Sequence, residues 1–288
     1  MPSVELSDRT VLLAAGPDAE SLLQNVITTD LASLAEGEAK PGALLTPQGK
    51  ILFDFVISRT GAGGFRLDCR RDTAEDLAKR LTLYKLRAKM EFSLPDEQVV
   101  SVSWESDSPA SQSASSSVLD RRFPEGPNVV RHYGSAAAGG ADLSSWHHLR
   151  VEHGVAESGS DYALGEAFPH EVLFDQNGGV GLKKGCYVGQ EVVSRMHHRG
   201  TARRRLVIVR GEGALPASGA EVTANGRPIG TLGTVAGEDG LAILRIDRAA
   251  EAMEAAAPIT AGEVALSLRV PAYAGFSISA PGGQAGTT

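Results

Sequence analysis

Lys183-Lys184-Gly185-Cys186-Tyr187-Val188-Gly189-Gln190-Glu191, running on to Arg195, sets one of the two cysteines of the chain directly behind two ammonium groups. Neighbouring cations favour the thiolate, so Cys186 is expected to ionise more readily than an isolated cysteine. Gly185 and Gly189 bracket it and free the backbone for positive φ or for close approach. Gln190, Glu191 and Arg195 read as the polar face of a following helix. Cys69, by contrast, lies in the apolar stretch beginning at Phe65 and reads as a packed small hydrophobe.

The charge around this stretch is unlike that of the rest of the chain. Eight lysines and arginines lie between Lys183 and Arg210 against Glu191 alone, in a protein of 288 residues with a formal net charge of −7. A basic strip on an acidic protein points to a particular anionic ligand or partner surface and excludes charge-driven binding to nucleic acid at large. The strip also lacks interleaved aromatics after Tyr187, which stacking on bases requires. Two cysteines make no disulfide framework, so a reducing, cytoplasmic location is expected. Neither a signal-peptide core nor a stretch of membrane-spanning length is found, and no membrane partner is expected.

Outward from the motif, the periodicities alternate. Residues Asp18 to Leu31 and Thr73 to Lys89 carry apolar residues at helical spacing, and Leu143 to Glu152 is a third helix opened by Asp142 or Ser144. Ala43 to Leu45 and Ile51 to Ile57 flank a Pro47-Gln48-Gly49 turn as a hairpin, with further strands at Phe65 to Leu67, Val99 to Trp104 and within Leu119 to Tyr133. Ser106 to Ser117 is a serine-rich linker, and Ala136 to Gly140 a small-residue spacer. Beyond Arg203 only short strand patterns remain, separated by glycine signals such as Asn225-Gly226, which predicts a small barrel or sandwich. The fold class is therefore α+β, in at least two units: residues 1–203 as a mixed region of two interleaved modules, and 204–288 as a β-barrel.

Metal chemistry supplied by the chain alone is not expected. The pairs His147-His148 and His197-His198 are adjacent in sequence and diverge on a helix, and no CxxC or spaced Cys/His set is present. The metal-ligand reading is therefore none, and Cys186 is the one candidate functional thiol.

The segment Lys184-Gly185-Cys186-Tyr187-x-Gly189-Gln190-Glu191-x-x-Ser194-Arg195 resembles the signature of the folate-binding YgfZ-like family. The resemblance extends through Gly16-x-Asp18-Ala19, Leu23-Gln24, Thr29-Asp30, Thr46-Pro47-x-Gly49-Lys50, Leu86-Arg87, Arg150-x-Glu152-x-Gly154 and Phe168-Pro169-x-Glu171. That family is related to the aminomethyltransferase, or T-protein, of glycine cleavage and serves iron-sulfur proteins. It implies a multi-module T-protein-like fold with a C-terminal β-barrel, tetrahydrofolate as bound ligand, no intrinsic metal cluster, and iron-sulfur enzymes or assembly proteins as partners.

By the same resemblance Glu152 meets the donor edge of the pterin, where a carboxylate accepts paired hydrogen bonds. Trp146 is placed to flank the ring by stacking, and Gln190, Lys184 and Arg195 complete the folate-binding set, the cations drawing the glutamate tail. In T-proteins a pair of aspartates follows the hairpin turn; this chain reads Phe53-Asp54, one carboxylate having become a ring. Proton handling at that place is lost, so the resemblance implies an accessory factor in iron-sulfur cluster assembly or repair. A folate-dependent aminomethyltransferase or other one-carbon transferase is the alternative, and a factor tied to tRNA modification that binds RNA is the second.

Overall fold

A computed structural model describes residues 1–278 apart from 62, 97, 106–115, 125, 135–138 and 201. The chain divides into two compact units. The first comprises Met1–Trp146, Leu164–Pro169 and Phe174–Ser194, and the second His147–Ala163, His170–Leu173 and Arg195–Thr288. Most of the expected serine-rich linker, and residues 136–138 of the small-residue spacer, lie outside the described residues.

The first unit contains strands β1 (Ser3–Glu5), β2 (Arg9–Ala15), β3 (Glu38–Leu45), β4 (Ile51–Arg59), β5 (Phe65–Arg70), β6 (Glu91–Ser93), β7 (Val100–Glu105), β8 (Ser117–Asp120) and β9 (Asn128–Tyr133). Among the described residues they form one sheet in the order β1-β7-β9-β8-β3-β4-β5-β2-β6. All neighbours are antiparallel except β3 and β8. Helices α1 (Ala19–Val26) and α2 (Ala74–Lys85) pack on one sheet face. Ala19, Leu23 and Val26 recur at helical spacing on α1, and Leu77 and Leu81 on α2. They meet Leu12, Phe55, Ile57, Leu67 and Cys69, which the two-residue strand period turns to the same side.

The opposite face carries charge. Asp68 lies between two arginines, with Arg9 Nε 2.5 Å from Oδ1 and Arg131 Nε 2.6 Å from Oδ2. Arg131 also reaches Asp120, which Arg122 holds as well. All five side chains are at most 5 % exposed, so each charge depends on its partners for the solvation that water would supply.

Two helices are shorter than their periodicity suggested. α1 ends at Val26 because Ile27 is already extended, and the β-branched Ile27-Thr28-Thr29 run bridges to β3 at Leu44. α2 ends at Lys85, where Leu86 takes a positive φ of 45° that no helix continues.

Helix α3 (Leu143–His153) begins in the first unit and ends in the second, as α4 (Gln190–Arg199) does. The second unit holds β10 (Arg204–Gly211), β11 (Glu221–Ala224), β12 (Arg227–Ala236), β13 (Asp239–Arg245), β14 (Ile259–Ala261) and β15 (Val264–Arg269), with α5 (Ile246–Glu254). These strands close into a barrel, β10-β13-β12-β11-β14-β15. Val207, Val209, Val222 and Leu244 fill its core, and Ala249 and Ala252 of α5 join them. Among the described residues, no helix is long and apolar enough to cross a membrane.

Candidate functional site

In the first unit, the loop that carries Cys186 is fastened to the segment after α1. Gly181 N donates to Thr28 O at 2.8 Å, and Thr28 Oγ1 returns a hydrogen bond to Gly179 O at 2.7 Å. Lys184 Nζ then donates to the backbone oxygens of Ile27 and Thr29, both at 2.8 Å. Gly181 is required here, since a Cβ would lie 2.8 Å from Asp30 Cβ and 2.7 Å from Lys184 Cδ.

The far end of the loop rests on the β3–β4 turn. Thr46 N donates to Lys50 O and Gly49 N to Thr46 O, closing the turn that the Pro-x-Gly pattern predicted. At Gly189, φ is +79°, and a Cβ would come within 2.6 Å of Thr46 O; Tyr187 O accepts from Gln190 N as α4 begins. Thr29-Asp30, Thr46 to Lys50 and Lys184 to Gln190, far apart in sequence, thus pack together in one region of the first unit, with Thr29 buried beneath it. Cys186 is exposed on it, whereas Cys69 is buried and its thiol is pushed up to about 12 by that burial.

The predicted site residues fare differently. Gln190 is half-buried at the start of α4 and Arg195 is exposed further along it. Lys184 is a structural latch, and burial lowers its pKa to about 8 despite the nearby Asp30. Its ammonium is committed to carbonyl oxygens, which corrects its expected place at a glutamate tail. Trp146 also needs correction: it is 1 % exposed, with Trp104 and Phe123 at ring-centroid distances of 6.1 and 5.7 Å. A ring so enclosed has no face to offer a ligand. Trp146 and Glu152 are six residues apart, about 240° around a helix of about 100° per residue, so one is core and the other is not.

In the second unit, the Arg150-x-Glu152-x-Gly154 motif is explained residue by residue. Arg150 is fully buried, and its Nη1 donates to Asp161 Oδ2 at 2.9 Å and to Val155 O at 3.0 Å. Its Nη2 reaches Thr234 Oγ1 on β12, and Nε lies 3.2 Å from Glu157. At Gly154, φ is +67° and a Cβ would lie 2.4 Å from Pro271 Cγ; Tyr273 Oη donates to its carbonyl at 2.8 Å. Between these anchors Glu152 is exposed and lines a cavity of about 430 Å³ with His148, Val151, Ile208, Arg210, Ser267 and Arg269. Arg269 was missed in the sequence, where nothing marked an arginine on a short strand; only its pairing opposite Ile208 brings it here.

A T-protein fold closed by a small β-barrel is the class that these features define. The glycine cleavage system aminomethyltransferase T of Bartonella henselae has the same fold, with a TM-score of 0.67 and 14% identity, over 95% of this chain and 86% of that one. Residues 203–276 match the family model of the CAF17 C-terminal beta-barrel domain.

The mitochondrial iron-sulfur cluster assembly factors IBA57 of Mus musculus and Homo sapiens are 31% and 32% identical to this chain, each over 83% of it and 76% of the relative. The mitochondrial homologue of Neurospora crassa is 31% identical over 77% of this chain and 56% of its own length. The chain belongs to the IBA57 family of iron-sulfur cluster assembly factors. This narrows the resemblance read from the cysteine motif, since the YgfZ-like family is related but is not the family shown. It also overturns the expected cytoplasmic location: these relatives are mitochondrial, and a low cysteine count reports a reducing environment without saying which compartment supplies it.

Proposed function

We propose that this chain is an accessory factor of iron-sulfur cluster assembly or repair that binds tetrahydrofolate and acts through the Cys186 thiol, with iron-sulfur enzymes or assembly proteins as partners. The observation that carries the reading is the exposure of Cys186 on a loop hydrogen-bonded before it at Thr28 and Lys184 and packed after it, at Gly189, against Thr46. An exposed thiol on a fixed loop can reach a partner or its cluster; a buried one such as Cys69 cannot. The iron-sulfur cluster is here the cargo of the process.

Folate fits the residues of the second unit. The exposed Glu152 carboxylate acts electrostatically on the adjacent His153 and lines a cavity of the size that small-molecule sites have. Glu152 would accept the pterin donor edge. Aminomethyl transfer is not part of the proposal, because Phe53, in place of an aspartate, packs against the hydrophobic core.

The test is genetic and chemical together. A strain lacking the protein is expected to lose activity in iron-sulfur enzymes and to regain it with the parent chain but not with Cys186→Ala. Full rescue by Cys186→Ala, or aminomethyl transfer by the purified protein, would overturn the reading.

A further inference from the structure

Helix α2 ends in side chains that the core does not use. Leu77 and Leu81 are buried, whereas Leu83 is 67 % exposed and Leu86, which closes the helix, is 88 % exposed. Among the described residues these are the two most exposed large apolar side chains. Leu83 stands about 200° around the helix from Leu81, so no rotation of α2 buries both. Leu86 sits in addition at φ +45°. Helices commonly stop on a residue of positive φ, but glycine meets that demand without a Cβ crowding the backbone. A leucine there strains the turn and buries nothing to offset it, so neither the helix stop nor the core explains its side chain.

The same stretch is cationic. Five lysines and arginines and no acid lie from Leu77 to Met90, in a chain of net charge −7. Lys79 is paired with Glu75 and Asp76 of the first turn. Arg80, Lys85, Arg87 and Lys89 have no ion-pair partner among the described residues. Asp18, which reaches this segment, accepts from the backbone nitrogen of Lys89 at 2.7 Å and not from a side chain.

We infer that this end of α2 docks an acidic protein surface, with Leu83 and Leu86 entering an apolar pocket and Arg80, Lys85, Arg87 and Lys89 meeting carboxylates around it. This rests on the reading that the chain serves iron-sulfur proteins, and it makes the partner at this face an acidic one. An apolar centre with a charged rim is the anatomy of a protein contact. An anionic lipid surface fits less well, because it would also face the acidic remainder of the chain, whereas a protein contact covers only the patch.

The experiment places the photocrosslinking residue p-benzoylphenylalanine at position 83 of the full chain, in a strain lacking the protein, and identifies the crosslinked product by mass spectrometry. An acidic protein is expected, and an iron-sulfur protein on the reading above. Arg80→Glu combined with Arg87→Glu is expected to lower the yield at least about tenfold, since it sets like charges against each other. Leu86→Gly is the second variant. It relieves the strain, so the thermal midpoint is expected to hold or rise while the crosslink and the rescue of iron-sulfur enzyme activity both fall. No crosslinked protein, a product that is basic or is RNA, or an unchanged yield in both variants would overturn the inference. So would cosedimentation of the parent with phosphatidylglycerol vesicles that the charge reversal abolishes, and so would a lower thermal midpoint in Leu86→Gly, which would return Leu86 to the fold. If both variants restore enzyme activity as fully as the parent, the inference fails while the accessory-factor reading stands. An acidic product that carries no cluster would keep the docking surface and count against that reading.

Discussion

Lys184 reaches back across 155 residues of sequence to place its Nζ 2.8 Å from the backbone oxygen of Thr29. The cation that sequence offered to an anionic ligand instead holds the cysteine loop against the end of α1. Burial lowers its pKa from 10.5 to about 8, whereas in the unfolded chain it titrates at the ordinary value. Between these pH values the unfolded state binds more protons, so the contribution of this group to stability rises with pH through that window.

Lys184→Met removes the titration. The unfolding free energy of the parent minus that of the variant is therefore expected to increase from about pH 7.5 to about pH 9.5, measured by urea denaturation. A difference that stays flat would show that Lys184 keeps an ordinary pKa and that the latch is solvated.

Arg150 is the corresponding anchor in the second unit. Both it and Asp161 are fully buried, and Asp161 also accepts from Thr234 N and Glu157 N at 2.7 Å. Arg150→Met leaves that carboxylate without its counter-charge, and breaking such a pair costs about 3–5 kcal/mol. The urea midpoint should fall accordingly, and Asp161→Asn should recover part of the loss when combined with it. A change below about 1 kcal/mol, typical of surface pairs, would mean that water reaches the site.

Gly154 meets two demands at once, the positive φ and the contact with Pro271. Gly154→Ala is expected to destabilise the protein by about 1–3 kcal/mol. Pro271→Gly in the same chain removes both the Cγ and the Cβ that a side chain at residue 154 would meet at 2.4 and 2.7 Å, but not the backbone strain, so a double-mutant cycle should return a favourable coupling. Strict additivity would place the whole cost in φ.

The sequence carried the local features well. Helix and strand periods, the Pro-x-Gly turn and the glycine-punctuated barrel all follow from near neighbours, and the match of motif segments pointed to a T-protein fold. What it did not carry were relationships set by long-range pairing. Nothing near Asp68 announces that Arg9 and Arg131, 59 and 63 residues away, will meet its carboxylate on a buried sheet face. Trp146 and Glu152 sat in one motif-bearing helix and were both read as ligand contacts, but helix geometry separates them into core and cavity. Arg269 became a candidate only when barrel closure set β15 beside β10.

The two cysteines provide the most direct test of the Cys186 loop. Cys186 is exposed, whereas Cys69 is fully buried among Leu67, Phe55 and Leu12 with its thiol pushed up to about 12. The thiolate is the species that reacts, and a burial-raised pKa leaves almost none of it at Cys69 near neutral pH. Iodoacetamide on the native protein should therefore label Cys186 alone, read by peptide mass spectrometry, with Cys69 labelled only after denaturation. The Lys184→Met variant refines the test. If the latch sets the position of the loop, its loss should change the Cys186 labelling rate while Cys69 stays protected, because the core around β5 is untouched. Labelling of Cys69 at a rate comparable to Cys186 would show that the first unit opens readily and would remove the distinction on which Cys186 was chosen.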